Sequence, residues 1–171
     1  MRKIRLKIFV IVSLLLITSV GLFVKSSSTS RYEPVLMKYV DLPGSIKFLS
    51  PVKIIKPGKI YYKDKYIFIS ERYKGIHIID NNDPYNPLNI GFINVPGCLD
   101  IAIKDSILYT DNAVDLIAID LSKLPDSIYV TKRLQRVLPE PLPPDGSPIP
   151  TEFQPARRPK NTVIVEWRQI Y

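Results

Sequence analysis

The fold is decided by Tyr66-Ile67-Phe68-Ile69-Ser70 and Gly75-Ile76-His77-Ile78-Ile79-Asp80, two apolar stretches that the chain repeats. The second occurrence reads Ile107-Leu108-Tyr109-Thr110-Asp111 and Asp115-Leu116-Ile117-Ala118-Ile119-Asp120. A Pro-Gly pair precedes each occurrence. The two Pro-Gly pairs are 39 residues apart and the two Ile-Asp pairs are 40 apart. A sequence period of about 40 residues is typical of β-propeller blades.

Each repeat divides into four short strands, because β-branched and aromatic residues fill the strands while Gly, Pro, Asn and Asp mark the turns. The predicted strands cover 59–62, 66–70, 75–80 and 88–94 in the first repeat, and 99–103, 107–110, 115–120 and 128–132 in the second. The predicted fold class is all-β: a partial β-propeller of about two four-stranded blades, preceded by an N-terminal signal or transmembrane helix.

Residues 1–25 have the pattern of a membrane-targeting segment, with a basic start followed by an apolar run from Ile8 to Val24. As a helix this run would be ~26 Å long, slightly short of the ~30 Å hydrocarbon layer. A cleaved signal peptide and an uncleaved membrane anchor both fit. Either one places the rest of the chain outside the cytoplasm, membrane-anchored or secreted to the cell envelope.

The formal charge of +8 comes mostly from this segment, which holds five of the 24 basic residues and none of the 16 acidic ones. The rest of the chain therefore carries only +3. So small a charge removes most of the case for a nucleic-acid partner. We expect no nucleic acid among the partners.

The predicted organisation has six parts. They are a signal peptide or N-terminal anchor (1–25), an entry segment (26–56), the first repeat (57–95), the second repeat (96–132), a proline-rich loop (133–160) and the first strand of a truncated further blade (161–171). Eight of the 21 residues from 139 to 159 are proline, which favours extended polyproline-type conformations. A stiff surface loop between blades is the preferred interpretation, and a docking peptide for an aromatic groove is the alternative.

The repeats resemble the bacterial LVIVD repeat, which is named for a hydrophobic strand that ends in aspartate. The resemblance rests on the strand Gly75–Asp80, on the corner Asn82-Asp83-Pro84-Tyr85-Asn86-Pro87 and on Leu116–Ser122. It covers 57–132, and the chain as a whole is similar to the N-terminal portion of longer envelope proteins of the Bacteroidetes type. The resemblance implies propellers at the cell surface, with no established enzymatic role and no catalytic residues to carry over.

The acidic corner at Asp80-Asn81-Asn82-Asp83 invites a calcium interpretation, because hard cations prefer several oxygen ligands. An EF-hand loop that started at Asp80 would need glycine and glutamate at its sixth and twelfth positions, where Tyr85 and Gly91 stand. We expect instead a turn stabilised by Asn and Asp side chains. Asp80 and Asp120, at matching repeat positions, are predicted to accept hydrogen bonds from the turns that follow them.

Two single residues complete the candidates. His77 is the only histidine, and one histidine without a cysteine cluster cannot build a typical zinc site. We expect it to be half-exposed on a strand face. Cys98 is the only cysteine, can form no intramolecular disulfide and is expected to be small, half-buried and unreactive.

The sequence therefore predicts no catalytic, cofactor-binding or metal-binding residues and no cofactor. The expected function is that of a non-catalytic cell-envelope repeat protein, a binding or scaffold module. Its expected partners are the membrane, through the N-terminal segment, and an unknown protein or glycan. The alternatives are an N-terminal fragment of a propeller hydrolase whose active residues are missing, or a truncated remnant without function.

Overall fold

A computed structural model describes residues 30–170, and the predicted signal or anchor segment at 1–25 lies outside this range. The described chain forms three antiparallel sheets, which confirms the all-β prediction. Within residues 30–170 the sheets do not close into a ring. None of the helices in this range is long and apolar enough to cross a membrane.

Eleven strands and three short helices make up residues 30–170. The strands are β1 (Tyr32–Lys38), β2 (Lys47–Leu49), β3 (Pro57–Lys63), β4 (Tyr66–Glu71), β5 (Gly75–Asp80), β6 (Leu88–Asn94), β7 (Ile101–Lys104), β8 (Ile107–Asn112), β9 (Asp115–Asp120), β10 (Tyr129–Leu134) and β11 (Thr162–Gln169). The helices are α1 (Leu42–Ser45) and the 3₁₀ turns Tyr39–Asp41 and Thr151–Phe153.

Two of the sheets correspond to the two repeats. The first sheet has the strand order β2-β6-β5-β4-β3, and the second has the order β10-β9-β8-β7. Since β2 and β3 lie at opposite edges of the first sheet, their connection at 50–56 must cross the sheet. It crosses the face that carries Asn89 of β6, whose side-chain amide donates to the Val52 carbonyl at 3.0 Å.

A shared hydrophobic core joins the two sheets. Its buried members come from both repeats and are Phe68, Ile76, Ile78, Ile93, Val95, Cys98, Ile101, Ile103, Leu108, Ile117, Ile119 and Leu121. The Tyr61 hydroxyl crosses from β3 and donates to the Ile103 carbonyl on β7 at 2.8 Å. The first strands of the two repeats therefore lie side by side.

The third sheet is a ribbon of β1 paired antiparallel with β11, which joins the two ends of the described chain. Trp167 and Ile164 of β11 pack with Tyr73 from the turn between β4 and β5. Val163 and Val165, on the other face of β11, pack with Ala113 and Val114 between β8 and β9. The ribbon thus lies against the corresponding hairpin turns of both sheets.

The proline-rich segment is fastened to this ribbon and to the second sheet. The Leu138 amide donates to the Val114 carbonyl at 3.0 Å, and the Trp167 indole donates to the Pro141 carbonyl at 2.9 Å. Arg158, which is buried, forms a two-point ion pair with Glu140. The segment is a loop with fixed contacts to both sides.

Candidate functional site

Equivalent positions in the two repeats follow from shared backbone features. Asp64 and Asp105 occupy the same tight turn with φ of 56° and 54°, so residues before the central hairpin correspond with a spacing of 41. The third strands correspond with a spacing of 40, because both sheets carry an irregularity at the same place, Ile78/Ile79 and Ala118/Ile119. The hairpin in the second repeat is therefore one residue shorter.

The first repeat holds a buried polar pair, Glu71 and His77, joined at 3.1 Å between Oε2 and Nε2. Glu71 also accepts the backbone N–H groups of Ile55 and Lys56, at 3.0 and 2.5 Å. Burial alone would raise the pKa of Glu71, but these donors and His77 outweigh it and hold the pKa below its usual value. The pair fastens the crossing segment onto the sheet.

His77 is wholly buried, so its predicted half-exposure is wrong. The connection at 50–56 covers its face of the sheet, and Phe92 packs beside the imidazole with ring centroids 4.8 Å apart. Nδ1 of His77 has no hydrogen-bond partner in the described chain.

The second repeat places a different cluster around Asp115. Its buried carboxylate accepts from Arg133 at 2.6 Å, from the Tyr39 hydroxyl at 3.0 Å and from the Arg136 amide at 2.8 Å. Arg133 also donates to the Asn112 side-chain oxygen at 2.9 Å. Burial, together with the hydrogen bond to Asp115, raises the pKa of Tyr39. Both carboxylate oxygens of Asp115 therefore accept hydrogen bonds from other segments of the chain.

Ser70 and Asp111 are equivalent and have the same task. The Ser70 hydroxyl accepts the Lys59 backbone N–H at 2.8 Å, and Asp111 accepts that of Asp100 at 2.9 Å. Asp111 also accepts the Leu99 N–H, yet burial raises its pKa above the usual value. Lys59 and Asp100 are themselves equivalent, so both side chains fasten the incoming first strand.

The acidic corners behave as predicted. The Asp80 carboxylate accepts a hydrogen bond from the backbone N–H of Asn82 at 2.9 Å, and that of Asp120 accepts one from the backbone N–H of Ser122 at 2.8 Å. Asp83 accepts the Tyr85 amide at 3.0 Å, which fixes the corner further. Tyr85 itself is 99% exposed at the tip. Within residues 30–170 no group of three or more His, Cys, Asp or Glu side chains could hold a metal ion.

Cys98 is completely buried, so the prediction of half-burial is wrong. It lies in the core shared by the sheets, because the Tyr73 amide donates to its carbonyl at 2.7 Å and draws the segment inward. Burial raises the pKa of the thiol to about 12, which suppresses the reactive thiolate.

Two grooves border the proline-rich segment. One, of about 620 Å³, lies over the outer face of the second sheet between Tyr109, Leu116 and the residues 138–142. The other, of about 330 Å³, lies between Arg136, Arg158 and Pro159. The first groove is mainly apolar, and Arg158 in the second groove is already paired with Glu140.

Sequence reasoning missed the polar side chains at the ends of the second strands. The signal was present, since Ser70-Glu71 and Asp111-Asn112 each place two polar residues after an apolar strand at equivalent positions. Comparison of the chain with protein-family models, curated proteins and solved structures finds no match.

Proposed function

We propose that the chain is a non-catalytic binding module in which two LVIVD-like repeats are consecutive blades of a propeller. The observation that carries the blade assignment is the way in which the sheets contact each other. Ladder partners share a face of a sheet, so the strand registers assign each side chain to one face. The faces in contact can then be compared between the repeats.

The first sheet turns Ile76 and Ile78 into the shared core. Their equivalents, Leu116 and Ala118, lie on the outer face of the second sheet, which instead turns Ile117 and Ile119 into the core. The two sheets therefore contact each other through opposite faces of the repeat, which is a head-to-tail arrangement. A two-layer sandwich related by a two-fold axis would bring like faces together, whereas a propeller repeats the head-to-tail contact around its axis.

The proposed binding surface is the corner between the third and fourth strands. Asp80 and Asp83 make this corner rigid, and Tyr85 presents a fully exposed aromatic ring at its tip. Rigid tyrosine side chains supply contact area at low entropic cost and are enriched at binding hot spots. A protein or glycan of the cell envelope is the proposed partner.

The binding test uses the purified full chain on a glycan array and on immobilised envelope protein. Tyr85→Ala should weaken any captured interaction at least tenfold, while Tyr129→Ala, which removes an exposed tyrosine on β10, should leave it unchanged. Absence of binding in both formats, or equal binding by Tyr85→Ala, would overturn the proposal. Turnover in a glycosidase panel would favour the hydrolase alternative.

The proposal includes export through residues 1–25, supported by their basic start and apolar run. Fractionation of cells that express the full chain should place it in the membrane or outside the cytoplasm. Recovery in the cytosol would remove the envelope setting.

A further inference from the structure

The outer face of the first sheet carries apolar side chains at positions that the second repeat buries. On β3, Ile60 is 64% exposed and Tyr62 is 62% exposed. Their equivalents on β7, Ile101 and Ile103, are 1% and 7% exposed because they pack against the first sheet. By this equivalence, a blade packs on the blade before it through the side chains at the positions of Ile60 and Tyr62. Residues 30–170 contain no blade before the first sheet.

The outer face of the second sheet is exposed at a position that the first sheet buries. Phe68 is buried because the second sheet covers it, whereas its equivalent Tyr109 is exposed. Tyr109, Leu116 and Ala102 form the floor of the groove of about 620 Å³, with residues 138–142 as the far wall. This is the face that a blade uses to receive its successor.

We infer that a second copy of this chain docks its β3 edge, through Ile60 and Tyr62, into the groove over Tyr109 and Leu116. The inference rests on the proposed blade assignment. Between copies, β3 of the second copy would take the place on the second sheet that β7 takes on the first sheet within one chain. Such heterologous contacts close into rings when the rotation permits. Two blades per copy then give a ring of about two to four copies, since propellers have about four to eight blades.

Charge complementarity supports a second copy as the occupant. Within the chain, Lys59 of the first repeat pairs with its equivalent Asp100 in the second repeat at 2.9 Å. In the contact between copies, Asp100 of one copy takes the position that Lys59 has within the chain. Lys59 of the next copy takes the position of Asp100. The charges are again opposite. Lys53 and Lys56 near this edge are exposed and add positive charge, and the exposed Asp100 is one of the residues that line the groove.

The part that docks is an edge, which fits the shape of the groove. The connection at 50–56 already covers the outer face from β6 to β4, and β3 is the edge strand of its sheet. The proline-rich wall at 138–142 leaves room beside the second sheet without closing over it. An exposed, apolar edge strand is also a surface that soluble proteins usually cover.

The test measures the mass of the full chain by native mass spectrometry and sedimentation. We expect one discrete oligomer of two to four copies. Tyr62→Glu and Tyr109→Glu should each weaken its assembly at least about thirtyfold, the effect of losing a hot spot. Val40→Glu, at a residue that is 76% exposed and belongs neither to β3 nor to the lining of the groove, should change nothing. A wild-type monomer at high concentration, or an oligomer that is insensitive to both variants, would overturn the inference.

A mixing experiment separates this contact from a symmetric one. Each variant retains one intact face, so a mixture of Tyr62→Glu and Tyr109→Glu should form a heterodimer that neither forms alone. A two-fold contact through β3 would be broken by Tyr62→Glu and untouched by Tyr109→Glu, which would contradict the proposal. Neither result depends on Tyr85, so binding to an envelope partner succeeds or fails independently.

Discussion

At equivalent positions, a polar side chain of each repeat holds an incoming backbone segment, but one side chain accepts hydrogen bonds and the other donates one. Glu71 in the first repeat accepts backbone N–H groups from Ile55 and Lys56. Its equivalent, Asn112, donates its side-chain amide to the Pro96 carbonyl at 2.7 Å. Pro96 stands at the position of Ile55 and has no N–H to donate, so Asn112 uses its carbonyl instead. Each repeat thus adapts its polar residue to the backbone that arrives there.

The neighbouring polar residues also differ between the two repeats. Glu71 is accompanied by His77, whereas Asn112 is accompanied by Arg133 and Asp115. Gly75 stands at the position of Asp115, and a Cβ there would come within 2.0 Å of the Ile93 carbonyl oxygen. The architecture repeats while the buried polar sets do not. In each repeat, the buried polar set holds the backbone that surrounds it.

The largest expected effect comes from breaking the cluster that only the second repeat has. Asp115→Ala leaves Arg133, whose side chain is only 12% exposed, without its carboxylate, and we expect a loss of about 3 kcal/mol in the free energy of unfolding. Urea denaturation of the full chain measures it. Asp126→Ala, at an exposed aspartate whose side chain makes no hydrogen bond in the described chain, is the matched control and should change stability by less than about 0.5 kcal/mol. Equal losses in the two variants would contradict the role given to Asp115.

The stability contributions of Glu71 in the first repeat and Asp111 in the second repeat change with pH in opposite directions. The pKa of Glu71 is lowered in the folded chain, so its ionised form contributes stability above its usual value of 4.5, and this is lost as the pH falls through the lowered pKa. The pKa of Asp111 is raised, so its contribution is present at low pH and is lost as the pH rises through the raised pKa.

Glu71→Gln and Asp111→Asn each retain one acceptor oxygen and remove the titration. From about pH 3 to about pH 6, the stability lost by Glu71→Gln relative to wild type should increase, whereas that lost by Asp111→Asn should decrease. Urea midpoints measured across this range give both slopes. Slopes of the same sign would show that the two carboxylates do not differ as their surroundings require.

The strands and corners could be predicted because their causes are local. Alternation over 115–120 assigns Leu116 and Ala118 to one face and Ile117 to the other, as observed. An aspartate that accepts an amide two residues later needs only its own turn, which is why the bonds of Asp80 and Asp120 were predictable. The four strands of each repeat also lie within a few residues of their predicted ranges.

The parts that could not be predicted depend on distant segments. The burial of His77 requires the connection at 50–56 to cross the sheet, and alternation within a strand contains no information about a crossing. The β1–β11 pairing joins Tyr32 with Gln169 across almost the whole described chain. The cluster around Asp115 similarly needs Tyr39 from the entry segment. Polarity of these residues was visible in the sequence, but their partners were not.

A smaller effect should come from loosening the proline-rich segment, whose Leu138 amide donates to Val114 of the second sheet. Trp167→Phe keeps most of the buried ring and removes the hydrogen bond to Pro141, for an expected loss of about 1 kcal/mol. Hydrogen exchange at the Leu138 amide should become faster, while exchange in β4 and β5 should stay the same. Uniform acceleration in both sheets would show that the ribbon supports the two repeats equally.

The smallest expected effect tests the feature that the repeats share most closely. Asp80→Ala removes the acceptor for the Asn82 amide at a partly exposed turn, so we expect a loss of less than about 1 kcal/mol. Asp41→Ala is the control, because Asp41 is exposed and its side chain caps nothing. The Asn82 amide should exchange faster in Asp80→Ala alone. Since the same bond recurs at Asp120, a large loss from Asp80→Ala would mean that the first corner also supports something beyond its own turn, and the adjacent Tyr85 loop would then no longer be a simple display surface.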